Sequence, residues 1–316
     1  MNEAIVVDGL RKTYGPLQAV DGVDFRVEKG SVFAFLGPNG AGKTTTTEIL
    51  EGIRQRTGGD VQVLGLDPWS EGAKLHRRIG VIPQEFRFLE RITPREAIEY
   101  YATLFSVRAD APALLDRVHL TDKANARFMT LSGGQKQKVG LALSLVNDPE
   151  ACFLDEPTSG LDPQARRAIW DVIRGLRADG RTVFLTTHYL EEAELLADHV
   201  AIIHHGRVVA AGTPREIIER LGGPMRLRLT AGPELVDYLK SKFPNDVRAG
   251  PGYVEIALRA QSETLPILTA IDQSGIPWSN LATVRDTLED VFVRLVGRMD
   301  DGVLKSASGT GGAALA

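Results

Sequence analysis

A chain of 316 residues exceeds one typical domain, so a large domain with a smaller companion is the expectation. Hydrophobic content of 43% and charged content of 25% match an ordinary globular protein, and a net charge of −4 argues against sequence-independent nucleic-acid binding, which calls for a basic face. One cysteine rules out an intramolecular disulfide, and no run approaches the ~18 apolar residues of a spanning helix, so any membrane role is expected to pass through a partner.

The opening "MNEAIVVDGL" has acidic residues and no cationic stretch ahead of an apolar one, so it does not read as a leader. Strand-like runs follow one another through residues 4–35: "AIVVDGL", "DFRVEKG" and "SVFAFLG". The last is apolar nearly throughout, the pattern of a strand buried on both faces, and it leads through 37–44 into a helix-like "KTTTTEILEGI". From about 88 to 147 the pattern is helical. There "ITPREAIEYYATLF" offers Thr93 as N-cap, Pro94 at the first helical position and Glu96 to close a capping box. This stretch reads as a helical subdomain inserted into a sheet-based core.

Strands return at 151–155 and 182–187, with a helix between them that Asp162 caps, Pro163 begins and Gly180 follows. That order predicts a parallel crossover unit. Cys152 falls in the first of these apolar runs and reads as a buried structural thiol. "HVAIIHHGRVVAAG" reads as a hairpin, which gives His204 and His205 no metal role, and "TPREIIERLG" as another capped helix. A break at "GGP" near 222 opens a small α+β unit of order strand, helix, strand, strand, helix, strand and a terminal helix; the tail at 300–316 is expected to be disordered.

The chemistry concentrates in short segments of the larger part. "GPNGAGKT" at 37–44 lies between a strand and a helix, where glycines let successive N–H groups converge on phosphate oxygens at a helix N-terminus. Lys43 would neutralise the β- and γ-phosphates and Thr44 would ligate Mg²⁺. Asp155 ends an apolar strand at the carboxyl edge of a parallel sheet and would hold the ion; Glu156 beside it can polarise an attacking water. His188 ends the strand "TVFLTTH", within reach of a γ-phosphate. Ser132, Gly133 and Gly134 open a second helix suited to an anion. One nucleotide does not readily fill both sites, and a head-to-tail pair of chains resolves this, with 131–135 of one copy covering the phosphate held by the other.

Taken in order, "KTYG" at 12–15, "GPNGAGKT" at 37–44, "VIPQ" at 81–84, "LSGGQ" at 131–135, "CFLDEP" at 152–157, "SGLD" at 159–162 and "TTH" at 186–188 resemble an ATP-binding cassette (ABC) transporter ATPase over roughly residues 3–222. The resemblance implies a P-loop α/β cassette, with a mixed sheet core, an antiparallel β subdomain and the inserted helical subdomain, plus the small C-terminal α+β domain at 223–299. It implies ATP and Mg²⁺ as ligands. ATP would be bound by Tyr14, stacking on adenine, by Gly37, Pro38, Asn39, Gly40, Ala41, Gly42, Lys43, Thr44 and Thr45, and across the dimer by Ser132, Gly133, Gly134 and Gln135. Thr44, Gln84 and Asp155 would serve the metal, Asp162 would cross the dimer interface, and Glu156 would be the catalytic base, assisted by Gln84, His188 and Lys43. Lys138 stands where many relatives carry arginine and keeps the charge.

The same resemblance implies a homodimer working with separately encoded permease subunits at the cytoplasmic face of the cell membrane. "EFRFLER" at 85–91, with Phe86 and Phe88, would help receive the permease. The C-terminal unit, especially "DTLEDVFVRLVG" at 286–297, is similar to that of daunorubicin-type drug exporter ATPases, which favours export over import. Other classes stay open at this point: a cassette ATPase serving translation or DNA repair, a small-molecule kinase, and an exporter of a lipid or other natural product. The first usually carries two cassettes or a long coiled coil, and "LSGGQ" argues against the second.

Overall fold

The computed structural model describes residues 2–84, 86–244 and 246–300; the expected disordered tail lies, from 301 onward, outside the described residues. The chain divides into two compact units, one running to Arg215 and the other beginning at Glu216.

In the first unit the order is β1 (Glu3–Tyr14), β2 (Leu17–Glu28), β3 (Val32–Leu36), α1 (Lys43–Leu50), β4 (Gly58–Val63), α2 (Gly72–Leu75), β5 (Ile79–Ile82), α3 (Pro94–Phe105), α4 (Ala111–Arg117), α5 (Gly133–Ser144), β6 (Ala151–Asp155), α6 (Pro163–Ala178), β7 (Thr182–Thr187), α7 (Leu190–Leu196), β8 (His199–His204) and β9 (Arg207–Gly212). The division between units falls within α8 (Pro214–Leu221).

A six-stranded sheet of order β5-β6-β7-β3-β8-β9 forms the centre, parallel except for the β8–β9 hairpin. Because side chains alternate across a strand, its apolar runs feed two cores. Phe33, Phe35, Phe153 and Phe184 point to one side, where Phe25 of β2 joins them with ring centroids 5.2 Å from Phe33 and 6.0 Å from Phe184. That core is shared with the antiparallel sheet of order β2-β1-β4. Cys152, Leu154, Val183 and Leu185 point to the other side and pack with residues of α3, α4, α5 and α6. Cys152 is fully buried, which pushes its thiol up to about 12.

The helical segment caps itself as its sequence predicts. Thr93 accepts from the Glu96 amide, the Glu96 carboxylate accepts from the Thr93 amide, and Pro94 opens α3. Phe86 and Phe88 stack at 6.0 Å and meet Phe128, and Phe86 lies so close to α5 that a Cβ at Gly140 would stand 3.1 Å from its ring. The stretch after Gln84 is thereby packed directly on the helix that follows 131–132.

The second unit runs β10 (Met225–Ala231), α9 (Pro233–Lys242), β11 (Val247–Gly250), β12 (Tyr253–Leu258), α10 (Thr264–Gln273), β13 (Trp278–Val284) and α11 (Leu288–Asp300). Its antiparallel sheet has the order β11-β12-β10-β13. Leu227, Leu229, Val254, Ile256 and Leu258 from one face pack against Leu235 and Leu239 of α9 and Ile267 and Ile271 of α10. Beside this core lies a buried charge network. Arg226 pairs with Glu255 at 3.1 Å and with Asp286 at 2.8 Å, and Asp286 accepts from the Gly223 amide at 2.6 Å. Among the described residues, no helix is long and apolar enough to cross a membrane.

Candidate active site

The carboxyl ends of β3, β6 and β7 lie side by side, because β7 pairs in parallel with both of the others. β3 is buried at every position and runs out at Leu36 into the turn 37–42, and α1 begins at Lys43. Gly42 caps α1 with φ of 108°, and a Cβ there would lie 2.5 Å from the Ala19 carbonyl oxygen, so only glycine fits. Within the turn the Ala41 amide donates to the Pro38 carbonyl at 3.2 Å, and the Gly206 amide donates to the Ala41 carbonyl at 3.0 Å.

Lys43 is buried, and its Nζ donates to the carbonyls of Gly37 at 2.8 Å and Pro38 at 3.2 Å, strapping the turn from within. Burial lowers its pKa, and the nearby Glu156 and Asp155 oppose that shift. Asn39, Gly40 and Thr44 are exposed around the opening. Free amides at a helix N-terminus beside a buried ammonium form a site for phosphate oxygens.

One carboxylate oxygen gathers the residues expected to act on water. Glu156 Oε2 accepts from Gln84 Nε2 at 3.1 Å and lies 3.0 Å from His188 Nδ1. Glu156 is buried, with a positive φ of 46° held by its amide, which donates to the Thr186 carbonyl at 3.0 Å and the Thr186 hydroxyl at 3.1 Å. The same hydroxyl donates to Asp155. Burial raises the pKa of Asp155; Thr186 and Lys43 oppose the rise and Glu156 adds to it. Burial, with Asp155 and Glu48 close by, also pushes Glu51 up to about 8. This crowding of carboxyls favours a cation, and the oxygens of Asp155, Thr44 and Gln84 match the hard ligands that Mg²⁺ takes.

The other expected residues sit apart from that cluster. Tyr14 is 36% exposed, between Lys12 Nζ at 5.0 Å and Arg54 Cζ at 5.3 Å from its ring centre. Ser132 caps α5: its hydroxyl accepts from the Gln135 amide at 3.3 Å, and Gln135 Oε1 accepts from the Ser132 amide at 3.0 Å. Gly133 faces Leu161 ahead of α6, and Gly134 faces α6 itself, where Ala165 leaves room for nothing larger than glycine, a Cβ there falling 2.7 Å from its own. Asp162 caps α6 by accepting from the Ala165 amide at 2.9 Å, and it is exposed. Lys138 donates to the His119 carbonyl at 3.2 Å.

Thr186 and the pair Lys12 and Arg54 were not singled out by the sequence. Thr186 had a signal, since it belongs to "TTH", whereas Arg54 meets Tyr14 only through the fold.

A fold with this pair of helix N-termini and this cluster on Glu156 is that of a nucleotide-hydrolysing cassette. The ABC transporter family model matches residues 20–159. Similarity extends much further in single relatives. The chain is 38% identical to the daunorubicin resistance ATP-binding protein DrrA3 of Streptomyces coeruleorubidus, over 96% of this chain and 99% of the relative. It is 36% identical to the Nod factor export ATP-binding protein I of Ralstonia nicotianae, over 92% of this chain and 93% of the relative. A dimeric ATP-binding cassette in a post-hydrolysis state with ADP and phosphate superposes with a TM-score of 0.60 at 27% identity, covering 66% of this chain and 98% of that one. The chain belongs to the ABC transporter ATP-binding proteins, ATPases that hydrolyse ATP to drive transport.

Proposed function

We propose that this chain is the ATPase subunit of an exporter and powers efflux of a drug or another natural product through a separate permease. The observation that carries the reading is the extent of the similarity, which includes the C-terminal unit and joins two relatives named for drug resistance and for Nod factor export. We take 1–222 as the cassette and 223–299 as an accessory domain.

In this reading Lys43 and the amides at 37–45 hold the β- and γ-phosphates, with Tyr14 stacked on adenine. Thr44, Gln84 and Asp155 hold Mg²⁺, which neutralises charge on the phosphates. Glu156 takes a proton from the attacking water, Gln84 helps fix the carboxylate, and His188 contacts the γ-phosphate. Ser132, Gly133, Gly134 and Gln135 of a second copy close the site, with Asp162 at the interface. Hydrolysis then removes the group bridging the copies, and they part. A surface for the permease is supported by the exposed Leu89, Tyr100 and Leu104. Phe86 and Phe88 are anchored nearby in the chain, their rings packed on Phe128 and, for Phe88, on Tyr101 of α3.

The test is twofold. Purified protein should release inorganic phosphate into water, and Lys43→Ala should lower turnover by about a hundredfold or more. Co-expressed with its permease, the tagged chain should be recovered from detergent-extracted membranes together with that permease. Near-normal turnover in Lys43→Ala would overturn the site, and recovery of the chain without any membrane protein would overturn the transport role.

A further inference from the structure

One carboxyl that this scheme does not use, that of Glu192 of α7, is fully buried, and its Oε1 accepts from Trp170 Nε1 at 2.9 Å. Burial holds this carboxyl above the usual carboxylate range, opposed by the hydroxyls of Thr187 and Thr158, by Trp170 and by the charge of Arg166. These neighbours come from the segments that carry the proposed chemistry. Thr158 lies in the turn that joins Glu156 to Asp162, which is compact: the Ser159 amide donates to the Glu156 carbonyl at 3.1 Å and the Leu161 amide to the Thr158 carbonyl at 3.3 Å. Thr187 precedes His188, and its hydroxyl accepts from the Tyr189 amide at 3.0 Å. Trp170 and Arg166 lie on α6, which Asp162 caps, and the Arg166 guanidinium sits 4.1 Å above the Tyr189 ring centre.

Buried polar atoms are almost always hydrogen-bonded, and exceptions in a folded protein call for a reason. Glu192 Oε2 and Thr158 Oγ1 are both buried, as is Arg166 Nε, and neither oxygen bonds to any other group. Since the Thr158 hydroxyl is among the groups that act on the Glu192 carboxyl, each oxygen is the partner open to the other. An apolar residue at 192 would fill the same space without a stranded oxygen, so packing does not account for a carboxyl here. A protonated carboxyl carries both a donor and an acceptor, which suits a hydroxyl on one side and an indole N–H on the other.

We propose that Glu192 is a positioning residue for ATP hydrolysis, holding Thr158, and with it the turn from Glu156 to Asp162, in register with the strand end that carries His188. The inference rests on the reading of this chain as an ATPase. A small displacement of a catalytic group far from the chemistry is enough to cost turnover.

The experiment compares wild type with Glu192→Ala, Glu192→Gln, Thr158→Val and the double variant Thr158→Val/Glu192→Ala. It measures kcat and KM for ATP, binding of a non-hydrolysable ATP analogue and the melting temperature. Glu192→Ala and Thr158→Val should each lower kcat by about tenfold or more, with analogue binding changed by less than about threefold. The double variant should be no worse than either single one, as for two partners in one interaction. Glu192→Gln keeps a donor and an acceptor without charge and should recover most of kcat. If Glu192→Ala does not fold, Thr158→Val and Glu192→Gln decide the matter. The proposal is overturned if kcat per folded molecule stays at the wild-type value in the folded variants, or if Gln is as impaired as Ala. Failure of wild type itself to release phosphate would instead sink the ATPase reading.

Discussion

Gly42 shows how tightly single residues are specified around the turn 37–42. Its φ of 108° is open to glycine, and the space where a Cβ would project is taken by the Ala19 carbonyl oxygen at 2.5 Å. Neither constraint relaxes cheaply, because Ala19 belongs to β2 and the turn is strapped by Lys43. Gly42→Ala should therefore distort the amides at the start of α1 and abolish ATP binding, as read by titration calorimetry with ATP–Mg²⁺. A variant that binds ATP normally would show that the turn is not the phosphate site. Legibility at this scale followed distance along the chain. Gln84, Glu156 and His188 could each be picked from a short motif, and the structure brings all three to one oxygen. Arg54 and Glu192 owe their places to contacts across the fold, and no local pattern marks such contacts in advance.

Secondary-structure elements were legible wherever a cap or a period marked them. The boxes at Thr93 and Ser132 and the Asp162 cap all depend on residues within one turn of the helix start. Periodicity does not say which strands become neighbours, so the order β11-β12-β10-β13 could not be read, nor that β13 is exposed over most of its length. The same limit hid the network on Asp286, whose partners Gly223, Arg226 and Arg294 are scattered in sequence. Burial alone would raise this carboxyl, but its bonds to Gly223, Arg294 and Arg226 outweigh that and hold it at about 2 instead of the ordinary 3.8. A pKa lowered by folding adds stability that is present above the unfolded value and lost as pH falls through the folded one. The C-terminal unit should thus lose about 2 kcal/mol between roughly pH 4 and pH 2 through this group. Asp286→Asn should remove that dependence and lower stability at neutral pH, checked by urea denaturation followed at the Trp278 fluorescence. An unchanged pH profile in the variant would assign the loss to other carboxylates.

For the molecule as a whole, the decisive feature is that one cassette holds two helix N-termini proposed to meet phosphate, at α1 and at α5. The first is joined to the cluster on Glu156 through Lys43, whose pKa feels that carboxylate. The second is built on α6, with Gly134 against Ala165 and Ser132 exposed beyond it. In the proposed reading a second copy would supply the missing half of each site; a dimeric ATP-binding cassette superposes on this chain. Glu156→Gln keeps the hydrogen-bonding shape of the site and removes the base, so ATP should bind and not turn over. Size-exclusion chromatography of that variant should then show monomer without nucleotide and dimer with ATP–Mg²⁺. Adding Ser132→Arg places a long cation at the capping position of α5, which should keep the protein monomeric while ATP still binds to the first site. If the double variant dimerises as readily as Glu156→Gln alone, the association does not run through 131–135 and the head-to-tail arrangement fails. If Glu156→Gln stays monomeric with ATP bound, the same runs with the co-expressed permease decide the question, since a subunit held in pairs by its partner needs only weak closure of its own. Dimers appearing only then would make closure a property of the assembled transporter, and the absence of dimers even there would remove the second helix from the nucleotide site.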